Sequence, residues 1–227
     1  MGNFVQQTTI TGLVNGFNSP QTITGTTQGN TLLVPFYHAN NSNNGTSITC
    51  DDGTNSYTLD IRQDRASTYT VGVFRLSGIA GGNTTVTLKT TSGTAPNSFW
   101  TSTILEYTGL SGVIDTVGSN KATNGSTTGP VTVTSNALAN ASNLLLAIAI
   151  GESNTGGLTN DASFTGRGLA THLSVNERIT SSTSPVTASC GTLNVIGWDA
   201  VIIPYVLNIV VPYPPMSKGG IGVQMCQ

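Results

Sequence analysis

The stretch Asn143-Leu144-Leu145-Leu146-Ala147-Ile148-Ala149-Ile150 has no polar side chain after its first residue, and Gly151 ends it. Such a run is far too short to span a membrane, and with Asn140 and Ser142 before it, it fits a strand buried on both faces. A short buried helix would show the same pattern. The neighbourhood decides for a strand, because Thr132-Val133-Thr134 precedes the run and no helix-favouring charges flank it. Each aliphatic side chain so buried contributes about 1.5–3 kcal/mol, enough to anchor a core. A fainter copy stands earlier, at Asn30-Thr31-Leu32-Leu33-Val34-Pro35-Phe36.

Strand-sized segments alternate with Gly/Asn/Ser turns elsewhere, as at Phe4–Ile10, Gln21–Thr26, Tyr69–Leu76, Asn83–Thr90 and Pro185–Cys190. Asp161–Val175 comes nearest to an amphipathic helix, but Gly166 and Gly168 interrupt it. Asp52-Gly53, between Ile48-Thr49-Cys50 and Tyr57-Thr58-Leu59, predicts a tight hairpin. The spacing predicts an all-β fold, a two-sheet antiparallel β-sandwich of jelly-roll-like type spanning residues 1–207.

Trp100 precedes Tyr107 by seven residues, and Trp198 precedes Tyr205 by the same seven. This echo reads either as two weakly similar halves, about 1–112 and 113–207, or as the self-similarity of any β-rich chain. On the first reading, both tryptophans are expected to face one core. After Leu207 the chain changes character. Pro212, Tyr213, Pro214 and Pro215 stiffen it, Gly219-Gly220 loosens it, and Ile221, Val223 and Met225 fall on one face of any strand they form. Residues 208–227 are expected to be an extended C-terminal assembly arm, with a frayed tail as the plain alternative.

Only 8% of the 227 residues are charged, the net charge is −2, and 37% are hydrophobic. That balance describes a folded chain with a neutral, hydroxyl-rich surface rather than a disordered one. Lysines and arginines occur singly, which leaves no footprint for nucleic acid. No membrane partner is expected either. The segment Met1-Gly2-Asn3-Phe4-Val5-Gln6 lacks a basic region and an apolar core, so no secretion signal is expected. A piece of a processed secreted protein would read the same way.

No nucleophile elbow, paired-histidine metal motif or phosphate loop is present, so the chain is not expected to be an enzyme. No cofactor is expected. The acids Asp51, Asp52, Asp60 and Asp64 lack the spacing of a calcium loop, and Asp52-Gly53 reads as a turn. Cys50, Cys190 and Cys226 form neither a disulfide framework nor a zinc site. Cys50 and Cys190 are expected to be small buried apolar residues. The candidate glycan contacts are Tyr37, His38, Asn40 and Tyr57, aromatics near amide-rich loops.

Four pieces in order resemble a β-sandwich module found in tailed-phage virion proteins and bacterial surface or secreted proteins. They are Gly29-Asn30-Thr31-Leu32-Leu33-Val34, the segment Asp51 to Leu59, Gly81-Gly82-Asn83-Thr84-Thr85-Val86-Thr87, and Glu106-Tyr107-Thr108-Gly109-Leu110. Asn143–Ile150 and the Trp198–Tyr205 strand extend the likeness over roughly residues 3–207, and Phe4-Val5-Gln6 is similar to the phage versions. The resemblance implies a non-catalytic virion structural protein: a capsid decoration (cement) protein of a bacteriophage, or a head or tail fibre component. It would be made in the host cytoplasm, form homo-oligomers, and meet capsid proteins and sister subunits. The alternative is an extracellular or cell-surface carbohydrate-binding module. Pro35 departs from the pattern and predicts an edge or bulge in its strand.

Overall fold

The apolar run becomes β14 (Asn143–Gly151), and every residue in it is buried. The computed structural model describes residues 3–11, 14–15, 17–40, 48–65, 69–90, 98–124, 129–151, 157–193 and 197–208. Within these residues the chain is all strand and connecting turn, with no helix. β14 lies between β16 (Leu173–Thr180) and β18 (Trp198–Leu207), antiparallel to both. Side chains alternate across a strand, so β14 serves two cores. Leu144, Leu146, Ile148 and Ile150 join a central cluster, while Leu145, Ala147 and Ala149 join an outer one.

The six-stranded sheet around it runs β11-β18-β14-β16-β15, where β11 is Leu110–Ile114 and β15 is Thr165–Ala170; β12 (Asn120–Asn124) also pairs with β18. Its outer face is covered by a two-stranded sheet of β13 (Gly129–Thr134) and β17 (Thr187–Leu193). The first half is built in the same way. β4 (Thr31–Asn40) lies between β7 (Tyr69–Ser77) and an interrupted strand, β9 (Ser98–Ser102) and β10 (Leu105–Thr108). Outside these come β1 (Asn3–Gln7) against β10 and β6 (Thr58–Arg65) against β7, with β2 (Val14–Asn15) on β9. A three-stranded sheet covers the outer face, in the order β3 (Asn18–Thr26), β8 (Gly82–Thr90), β5 (Ile48–Asp51).

Four sheets are therefore stacked where the sequence predicted two. The two large sheets face each other through the central cluster, and each has a small sheet on its back. The strand order is that of a jelly roll in each half, with the first and last strands of the large sheet adjacent and the second and seventh strands behind. The physical reason for four layers lies in β4 and β14: both are apolar on two faces, so each large sheet needs cover on both sides. The change of sheets falls at Gly109, between β10 and β11.

Two expectations about side-chain direction are corrected. Trp100 packs in the outer core of the first half and Trp198 in that of the second, so they share no core. Tyr107 and Tyr205 are the pair that meet in the middle. Seven is an odd spacing, and an odd spacing along a strand places two side chains on opposite faces. Pro35 is not at an edge: it sits in β4, the central strand, opposite Val73 on one side. On the other side the neighbouring strand is broken between Ser102 and Leu105, so the missing N–H costs no ladder hydrogen bond. Pro204 in β18 stands similarly beside the gap between β11 and β12, where its carbonyl accepts from the Asp115 N–H at 2.9 Å.

The predicted hairpin is a turn without a ladder. Asp52 accepts from the Thr54 and Asn55 backbone N–H groups at 2.9 and 2.6 Å, and Gly53 takes φ +83°. Beyond one bridge, Asp51 to Ser56, the strands part: β5 pairs with β8 and β6 with β7, in different sheets. The Asp161–Val175 stretch is a turn followed by β15 and the start of β16. In the second half no strand among the described residues corresponds to β5. Instead the segment 157–159 lies along β17, with Thr159 N–H donating to Cys190 O at 3.0 Å and Thr192 N–H to Gly157 O at 3.1 Å. Gly191 permits this approach: it has φ +104°, and a Cβ there would stand 2.0 Å from the Gly157 carbonyl oxygen.

Candidate functional site

The candidate glycan contacts turn inward. Tyr37, His38 and Tyr57 are buried, at 2%, 2% and 6% exposure, so none presents a ring face to a sugar. Alternation along β4 splits the first two: Tyr37 stacks on His172 of the second half with ring centroids 5.3 Å apart, while His38 lies against Trp100 at 4.1 Å. Burial, with Arg62 nearby, lowers the His38 pKa to about 4, although Asp64 opposes the shift. Tyr57 packs in the first half's outer core, where burial pushes its phenol pKa up. Asn40 ends β4, and its side chain lies outside the described residues. The proposed arm residues Pro212, Tyr213, Pro214, Pro215, Ile221, Val223 and Met225 lie outside them as well.

The acidic side chains are tied to their own neighbours. Glu106 is fully buried and accepts from Gln6 Nε2, the Thr27 N–H and Asn30 Nδ2 at 2.6 to 2.7 Å. Asp115 accepts from the Gly118 and Asn140 backbone N–H groups. Asp51 pairs with Lys89 at 2.5 Å, which holds its carboxyl below the usual range. Cys50 and Cys190 are buried and free, and burial pushes the Cys190 thiol up to about 12. Among the described residues, no three His, Cys, Asp or Glu side chains converge on a point that would hold a metal ion.

Two polar clusters cross the central core, related by the likeness of the halves. Tyr107 on β10 donates to Glu177 on β16, and Arg167 on β15 pairs with the same carboxylate while covering the Phe4 ring at 3.5 Å. On the other side Tyr205 on β18 approaches Asp60 on β6, whose carboxylate receives Arg75 Nε and Nη2 at 2.8 and 3.2 Å. The Tyr205 hydroxyl makes no hydrogen bond of good geometry there. Burial raises the Asp60 pKa against the pull of Arg75.

Beside the second cluster the seam opens into a groove of about 560 Å³. Leu59, Asp60, Ile61 and Arg62 of β6 form one wall; Ile114, Thr116, Ser119, Asn120 and Lys121 of the second half form the other. Sequence reading did not find it. Its walls come from segments more than fifty residues apart, and isolated charges carry no motif.

No protein-family model, curated protein or solved structure matches the chain.

Proposed function

We propose that the chain is a non-catalytic structural protein of a virion surface, a capsid decoration protein of a tailed phage or a head or tail fibre component. The observation that carries this reading is the use made of the reactive side chains. Glu106, Asp115, Glu177 and Asp60 bind loops and sheets to one another, and His38, Cys50 and Cys190 are buried away from solvent. Chemistry at an active site needs a nucleophile or base in reach of solvent-delivered substrate. A low-charge body with four stacked sheets suits a part whose task is to persist on a surface.

Within this proposal residues 208–227 are the link to the shell or to sister subunits, an idea that rests on their sequence. Immunogold labelling of virions tests the whole reading, using antibody raised against the folded protein and phage purified from the source strain. Label on heads supports decoration, label on tails supports the fibre form, and unlabelled virions overturn both. Truncation after Leu207 tests the arm: unchanged oligomeric state and particle binding would exclude it.

A further inference from the structure

We propose that the groove between β6 and the β11–β12 segment binds the carboxylate-bearing sugar of an acidic saccharide. Its volume of about 560 Å³ lies within the roughly 300–1,000 Å³ of small-molecule pockets, and neither half alone supplies both walls. Charge narrows the ligand class. Lys89 pairs with Asp51, Arg75 with Asp60 and Arg167 with Glu177, but exposed Lys121 has no carboxylate partner among the described residues. Arg62 on the facing wall is itself paired with Asp64, at 2.7 Å, which leaves Lys121 to set the charge preference. Asp60 lines the same groove, yet Arg75 already binds its carboxylate, so it leaves the cationic character of Lys121 standing.

The remaining lining suits a sugar rather than a bare anion. Leu59 and Ile114 offer apolar surface to the C–H face of a pyranose ring, and exposed Thr116 offers a hydroxyl to its OH groups. One unpaired lysine cannot follow a nucleic-acid backbone, which needs a row of cations. This reading does not depend on where the protein resides, and it stands or falls separately from a role on virions.

Titration of the full chain with trigalacturonate, followed by amide NMR and calorimetry, tests it. Neutral galactotriose and inorganic phosphate serve as controls. Trigalacturonate is expected to move the resonances of residues 59–62 and 114–121. Lys121→Gln is expected to weaken binding about tenfold, as loss of a charge-assisted hydrogen bond does, and Lys121→Arg to retain it. Lys89→Gln, at a residue that does not line the groove and pairs with Asp51, is expected to leave affinity unchanged. Absence of binding, equal binding of the neutral trisaccharide, equal competition by phosphate, or insensitivity to Lys121→Gln would each overturn the proposal.

Discussion

Tyr107 in the first half donates its phenol hydrogen to Glu177 in the second, across the core that the two large sheets share. Both side chains are buried, at 1% and 7% exposure, and Arg167 closes the cluster by pairing with the same carboxylate. Tyr205 occupies the matching place on β18 and approaches Asp60 and Arg75 of the first half. Each half thus sends one tyrosine across to an acid–arginine pair in the other. An apolar interface alone would tolerate sliding, whereas the Tyr107–Glu177 hydrogen bond has one good position.

The two tyrosines differ in what their hydroxyls contribute. Tyr107→Phe is expected to lower stability by about 1–3 kcal/mol, because it takes a buried hydrogen bond from a carboxylate. Tyr205→Phe is expected to cost less than about 0.5 kcal/mol, since its hydroxyl has no well-formed bond to lose. Urea unfolding of both variants measures the difference, and an equal loss in the two would contradict the assignment.

Trp100→Ala and Trp198→Ala are each expected to cost about 3–5 kcal/mol, since both side chains fill packed cores. The tryptophans lie in different clusters, so the losses should add to within about 0.5 kcal/mol in the double variant. A larger coupling energy, read from denaturant midpoints at equal slope, would place them in one core.

His38 gives the protein an acid-sensitive element. Its pKa falls to about 4 in the folded chain from the ordinary 6.5, so between these values the unfolded chain binds more protons and stability rises with pH. Acidification from pH 6.5 to 4 should therefore remove up to about 3 kcal/mol through this residue, with no further loss from it below pH 4. In His38→Phe the melting temperature should fall less across that window than in the parent. Parallel melting curves for the two proteins would exclude His38 as the cause.

Gly191→Ala is expected to destabilise the second half by more than about 2 kcal/mol, from strain at φ +104° and from collision with the Gly157 carbonyl. Gly53→Ala, at φ +83° but with open space around its Cβ, should cost only about 1 kcal/mol. Thermal unfolding of both variants separates the collision from the backbone strain.

By itself the sequence determined the all-β class and the burial of its most apolar strand, but not that of Tyr37, His38 and Tyr57. The run from Leu144 to Ile150 could not be exposed on either face, and the Gly/Asn/Ser spacing left no length for helices. Burial of Cys50 and Cys190 was legible too, because no partner spacing gave them another role. Only the tertiary structure decided which layer covers which face. An apolar run is the same whether its two faces meet one small sheet and one large sheet or any other pair, so four layers, the separate places of Trp100 and Trp198, and the parting of β5 from β6 were not written locally. The same holds for the seam. Tyr107 and Glu177 stand seventy residues apart, as β6 and β12 stand far apart, and their meeting depends on how the two large sheets stack rather than on any short pattern of residues.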